Sequence, residues 1–206
     1  NMTYKLYYSP GACSMGVHAV LNELNLPVEL IKAADTPNFE TLSPPKTVPV
    51  LDDDGLIIRE GAAIILHILE KHNSEMLPKS SEARTKVIEW LMIANATIHV
   101  AYSKLFFVAK NIEDEDLKLS LFNKQAKVIE GLWKSIDEHL KNSDYVAGDK
   151  PTAADFLLTT YANWGAFFPM QIQLGENVKK MITNISSRPS FQKALQVEEV
   201  DYKASA

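Results

Sequence analysis

The sequence predicts an α/β unit followed by an all-helical unit, and three observations carry that division. Strand and helix signals alternate over residues 4–72. From residue 82 onward the apolar positions recur only at helical spacing. Between them, Asn73 to Ser81 is polar, contains Pro78 and breaks both patterns. The expected organisation is an N-terminal domain over 2–73, a linker over 74–81 and a helical domain over 82–206. Asn1, ahead of Met2, is set aside.

Tyr4, Leu6 and Tyr8 alternate in an aromatic-rich run, which reads as a first strand over 4–8. Ser9-Pro10-Gly11 is a turn, and Val17, Val20, Leu21 and Leu24 then recur every three or four residues as a helix. Asn25-Leu26-Pro27 ends it. A second strand over 28–31 should run parallel to the first, because a helix intervenes. Residues 35–46 carry Pro37, Pro44 and Pro45 and leave room for one helical turn around Phe39 to Leu42. A third strand, 48–51, opens at a proline. Asp52-Asp53-Asp54-Gly55 is a hairpin turn, and 56–59 returns antiparallel. A helix over 62–71 places Ile64, Ile65, Ile68 and Leu69 on its inner face. The order β-α-β then β-β-α is that of a thioredoxin-like domain. Beyond the linker, long helices are expected over 82–110 and 115–141, and shorter ones over 153–168, 174–185 and 189–196.

Composition narrows the function classes. A hydrophobic share of 46% and a charged share of 23% are those of a globular chain with a sizeable core. The net charge of −5 argues against a nucleic-acid-binding face. No apolar run reaches about 18 residues, so no membrane span is expected, and nothing at the N-terminus reads as a signal peptide. A single cysteine excludes an internal disulfide and suits a reducing, cytoplasmic compartment, while leaving a mixed disulfide with an external thiol open. The five histidines form no i, i+4 pair beside a carboxylate, so no metal site is expected.

Cys13 sits where the first helix begins. Unpaired N–H groups and the positive end of the helix dipole favour a thiolate there, which makes Cys13 a candidate reactive residue; the alternative is a small buried residue at a strand–helix junction. Val48-Pro49 stands before the third strand, where a thioredoxin-like domain uses a cis proline to expose the preceding backbone to an extended peptide. Glu60-Gly61-Ala62 opens a helix whose free N–H groups suit a carboxylate, with Glu60 placed for an ammonium. Thr152-Ala153-Ala154-Asp155 is a capping box with a stabilising role only. His99 lies mid-helix, and Trp164, Phe167 and Phe168 cluster as core or as the lining of an apolar pocket.

Tyr7-Tyr8-Ser9-Pro10-Gly11-Ala12-Cys13-Ser14, Val48-Pro49-Val50-Leu51, Glu60-Gly61-Ala62-Ala63-Ile64 and Thr152-Ala153-Ala154-Asp155 follow one another in the order and spacing of the cytosolic glutathione S-transferases. The Ala-Cys-Ser form of the first motif resembles the bacterial beta class. The resemblance implies a homodimeric glutathione transferase that directs the thiolate of glutathione at electrophilic or hydrophobic substrates, with detoxification as its setting. It implies Cys13, His99 and Ser14 as catalytic residues, with a mixed disulfide at Cys13. It implies Tyr8, Ala12, Thr47, Val48, Pro49, Glu60 and Gly61 around glutathione, and Phe106 and Trp164 around the second substrate. No metal, nucleic acid or membrane is implied. The chain departs from the family pattern at Val100, Met92, Ala96 and near Thr36, where polar contacts to glutathione are expected; Asn95 or Thr97 is the nearest replacement. A non-catalytic module for hydrophobic ligands or a partner protein, and a glutathione-dependent isomerase or dehalogenase, are the alternatives on the same fold.

Overall fold

The computed structural model describes residues 3–205; Met2 and Ala206, the outermost residues of the two expected domains, lie outside it. Four strands, β1 (Tyr4–Tyr8), β2 (Val28–Lys32), β3 (Val50–Asp53) and β4 (Leu56–Arg59), form one sheet in the order β2-β1-β3-β4. The first pair is parallel, with Leu6 opposite Leu30, and the other two are antiparallel, with Leu6 opposite Leu51 and Leu51 opposite Ile58. The parallel pairing follows from the crossover helix α1 (Ser14–Glu23). The β3–β4 hairpin closes at Asp54 and Gly55, both at positive φ, with the Gly55 N–H donating to Asp52 Oδ1 at 2.7 Å. Helix α2 (Gly61–Lys71) then buries Ile64, Ile65, Ile68 and Leu69 against the sheet. The third strand begins two residues later than its sequence suggests, because Val48 and Pro49 belong to the loop.

The helical part comprises α3 (Ser81–Met92), α4 (His99–Asn111), α5 (Glu115–His139), α6 (Ala153–Ala162), α7 (Glu176–Ser186) and α8 (Pro189–Glu198). Helices α3 and α4 are one continuous run broken by a π-helical stretch, Ile93–Ile98, which the periodicity of 82–110 does not reveal. That run, Ser81–Asn111, is long and apolar enough by length and composition to cross a membrane, contrary to the sequence expectation. Val87, Leu91, Ala94, Ile98, Tyr102 and Leu105 along it are buried in the protein core, as on a helix at the centre of a bundle. The expected helix over 153–168 stops at Ala162 and tightens into a 3₁₀ segment, Asn163–Phe167.

Helix α6 is buried along its whole length and packs on α1. Gly16 permits that contact: a Cβ there would stand 2.8 Å from Leu157 Cδ2. Helix α8 packs on the same α1. The helix that carries Cys13 at its start is therefore clamped between the sheet and two helices of the C-terminal part.

Candidate active site

A cavity of about 590 Å³ lies between the sheet unit and the α3–α4 run, lined by Cys13, Thr47, Val48, Pro49, Glu60, Gly61, Asn95 and His99, with Pro45, Ile57, Ile58 and Arg59 completing its rim. Residues from four separate stretches of sequence meet here, and each is positioned by local chemistry.

The β1–α1 turn comes first. Gly11 has φ of +71° and no room for a side chain, since a Cβ would meet Val200 Cγ2 at 3.3 Å. Its N–H donates to Glu198 Oε1 at 3.1 Å, and its carbonyl accepts from Trp164 Nε1 at 2.8 Å. The second oxygen of Glu198 is 2.6 Å from His18 Nδ1, both side chains being buried. The two peptide groups that flank Gly11, just before Cys13, are thus each held by a side chain from the C-terminal part of the chain.

Cys13 points its thiol at the loop opposite and donates to the carbonyl oxygen of Val48 at 3.0 Å. Burial pushes the thiol pKa up to about 12, and the charge of Glu60 adds to the rise. The N–H groups of Cys13 and Ser14 pull the other way and lose. The sequence expectation of a thiolate at the helix start is corrected: desolvation outweighs the helix terminus in this arrangement.

The Val48–Pro49 peptide bond is cis. Ser43, fully buried, holds the loop before it, accepting from the Thr47 N–H at 3.1 Å and donating to the Thr47 carbonyl at 3.0 Å. Across the cavity Glu60 has φ of +73° and ψ of 120°, a conformation that costs a non-glycine residue roughly 1–3 kcal/mol and recurs at ligand sites. It leads the chain into α2 with Gly61, the first residue of that helix, on the cavity wall.

The helical wall carries Asn95 and His99. His99 is packed between Tyr161 and Trp164, each ring centroid 5.3 Å away. Burial lowers its pKa, opposed by Glu60, which leaves the imidazole neutral near pH 7. Asn95 Oδ1 accepts the Tyr161 hydroxyl at 2.7 Å. Thr97 is exposed and does not line the cavity.

The structure gathers Cys13, His99, Thr47, Val48, Pro49, Glu60 and Gly61 at one cavity. It places others elsewhere. The Ser14 hydroxyl is fully buried and ties back to Ser9, near both its N–H (3.3 Å) and its carbonyl (3.4 Å). Tyr8 is buried in the sheet and Ala12 forms the turn, its N–H bonded to Ser9 at 3.1 Å. Trp164 is buried behind His99, and Phe106, 41% exposed, packs edge-on to it at 5.7 Å. Phe106 also meets Phe168 at 4.9 Å and Phe167 at 6.4 Å, so an aromatic shelf continues from His99 to the surface. Among residues that the sequence did not single out, Arg59 and Ile57 line the cavity; their adjacency to Glu60 was the available signal. Among the described residues no group of three or more His, Cys, Asp or Glu is placed to hold a metal ion.

A thioredoxin-like sheet unit, an all-helical partner and a peptide-sized cleft between them define a class of thiol-peptide-dependent proteins, and comparison with known proteins agrees. Residues 6–76 match the family described as glutathione S-transferase, N-terminal domain, and residues 96–189 match its C-terminal domain. Glutathione S-transferase GST-4.5 of Xanthomonas campestris pv. campestris is 30% identical over 166 residues, covering 78% of this chain and 81% of the relative. Glutathione S-transferase GstA of Escherichia coli O157:H7 is 28% identical over 204 residues, covering 94% and 98%. A sphingomonad glutathione S-transferase solved with glutathione superposes with a TM-score of 0.84 at 27% identity, covering 96% of this chain and all of that one. The chain belongs to the glutathione S-transferase family.

Proposed function

We propose that the protein is a glutathione transferase that binds glutathione in the cavity between Val48 and Gly61 and passes its thiolate to an apolar electrophile lying on the Phe106 shelf. The observation that carries this is the meeting, in one 590 Å³ cavity, of the Val48 backbone, the start of α2 at Gly61, Cys13 and His99. Val48 suits main-chain pairing with the cysteinyl residue of the tripeptide. The N–H groups of Gly61 and Ala62 suit the γ-glutamyl carboxylate, and Glu60 suits its ammonium. The peptide sulfur then lies against Cys13 and His99.

In the reaction the glutathione thiol gives up its proton, and neutral His99 is the group of the right form to take it. The sulfur attacks the electrophilic carbon, a C–S bond forms, and the leaving group departs with its electron pair. Lowering a thiol pKa by two units takes about 2.7 kcal/mol of differential stabilisation, the order that helix N–H donors supply. Cys13, held as a neutral thiol, has one S–H to give, and with glutathione bound it turns from the Val48 carbonyl to donate to that sulfur. Exchange with glutathione disulfide is a second reaction open to it: Cys13 gives its proton to neutral His99, its sulfur attacks one sulfur of the disulfide, the S–S bond breaks, and one glutathione leaves as thiolate.

The same reading makes the protein a cytoplasmic homodimer with a detoxifying role. One free cysteine suits a reducing compartment. Met92, Ala96 and Val100, exposed at successive helical turns, supply an apolar stripe for a second copy.

Titration calorimetry with glutathione, followed by conjugation of a chlorodinitrobenzene, tests the proposal. Binding in the micromolar to low millimolar range with turnover supports it, and no heat at millimolar glutathione overturns it. In Cys13→Ala, conjugation should survive while disulfide exchange disappears.

A further inference from the structure

One polar side chain on the cavity wall has a fixed direction. Asn95 stands in the π-helical stretch, four residues before His99. Its Oδ1 accepts the Tyr161 hydroxyl at 2.7 Å. Tyr161 is fully buried, and burial, followed by the nearness of Cys13 and Glu60, keeps its phenol protonated and a donor. A phenol that donates needs an acceptor, so the carboxamide oxygen faces Tyr161 and the NH₂ faces away. The carboxamide sits against the start of α2: a Cβ built on Gly61 would lie 3.5 Å from Asn95 Nδ2 and 3.6 Å from Oδ1. The carboxamide, with its oxygen taken by Tyr161, and the first residue of α2, where N–H groups lack intrahelical partners, therefore line the same cavity side by side. Neutral N–H donors from two elements that border one cavity fit a carboxylate.

We infer that Asn95 is a specificity-determining residue of the glutathione site, donating Nδ2–H to the carboxylate of the γ-glutamyl group, with Tyr161 as the positioning residue that aims it. The inference rests on the reading of the cavity as the glutathione site and deepens it. Asn95 and His99 stand four residues apart on one helix run, a spacing that puts both on the same wall of the cavity.

The experiment is calorimetry on the full chain with two ligands. One is glutathione; the other is γ-aminobutyryl-cysteinylglycine, which lacks only the carboxylate in question. Asn95→Ala should weaken glutathione binding about tenfold, the loss of one hydrogen bond to a charged group, and change the analogue less than twofold. Asn95→Asp keeps the Tyr161 contact and the shape of the side chain but sets like charge against the carboxylate. It should weaken glutathione more than tenfold and spare the analogue. Tyr161→Phe should weaken glutathione about threefold and spare the analogue, raising KM with kcat unchanged. Equal losses for both ligands in Asn95→Ala and Asn95→Asp, or no loss in either, overturn the inference while leaving the glutathione site standing. Failure of the wild-type protein to bind glutathione overturns both.

Discussion

The Cys13 thiol donates to the carbonyl oxygen of Val48 across 3.0 Å, which ties the start of α1 to the loop where a peptide backbone would pair. With its pKa pushed up to about 12 by burial, this thiol stays neutral through the physiological range. Alkylation by iodoacetamide at pH 7.5, followed by mass spectrometry, should be far slower than for a free cysteine and should still be accelerating between pH 9 and 11. The unfolded thiol ionises near 8.5, so the folded chain holds the proton over a range where the unfolded chain has lost it. Stability conferred by that proton is present below about pH 8.5 and is lost as pH rises towards 12. The melting temperature of the wild type should therefore fall towards that of Cys13→Ala between pH 8 and 10. Alkylation with a midpoint near 8.5 would show that the thiol is not held.

Glu198 spends one oxygen on His18 and the other on the N–H of Gly11, inside the core. Glu198→Ala strands both donors, and breaking such a buried pair costs about 3–5 kcal/mol. Glu198→Gln keeps the shape and one acceptor and should cost about half of that. Urea denaturation of both variants checks the order. Because the Gly11 peptide leads directly into Cys13, conjugation rates should fall in the same order at temperatures where both variants remain folded.

Much of this frame was legible because its signals are local. The alternation of Tyr4, Leu6 and Tyr8, the proline before β3 and the Gly61 helix start each declare themselves within a few residues, and two strand directions follow from the helix between β1 and β2 and the hairpin between β3 and β4. What was not legible depends on contacts far apart in the chain. Gly11 meets Glu198 across 187 positions, and Asn95 meets Tyr161 across 66. The π-helical stretch has no apolar signature, since Ala94 and Ile98 fit an ordinary helix equally well. The Cys13 expectation failed for a related reason: the helix start is visible in sequence, whereas the desolvation that overrides it comes from packed neighbours. The family resemblance implies Ser14 as a catalytic residue, but its hydroxyl is fully buried and ties back to Ser9, a contact the motif alone does not reveal.

Phe106 presents its exposed face beside the buried Trp164 and between Phe167 and Phe168. Truncation to alanine removes the middle of the shelf, between Trp164 and the two phenylalanines. For a planar aromatic electrophile, kcat/KM should fall about fivefold to tenfold, the worth of one aromatic contact plus its buried area. Glutathione affinity should stay within twofold, since Phe106 does not line the peptide cavity. A parallel loss of both would mean that the residue supports the fold; no loss in either would remove it from the second-substrate surface.

Asp155 lies at the start of α6, fully buried, where its carboxylate accepts from the N–H of Thr152 at 2.7 Å and from the N–H of Val146 at 3.0 Å. Burial raises its pKa to about 6, although the Val146 and Thr152 donors pull the other way. The folded value therefore lies above the unfolded one near 3.9. Folded chains hold a proton between pH 4 and 6 that unfolded chains have lost, so the stability this proton confers is complete below about pH 4 and disappears as pH rises through 6. At pH 7, Asp155→Asn turns an NH₂ towards one of the two donors and should cost about 1–3 kcal/mol. The gap between the wild type and this variant should widen as the pH is lowered from 7 to 4.5, because only the wild type gains from proton uptake. Guanidinium denaturation of both proteins across that range measures the gap. A gap that narrows instead would mean that the carboxyl is ionised in the fold throughout, with its N–H donors outweighing burial.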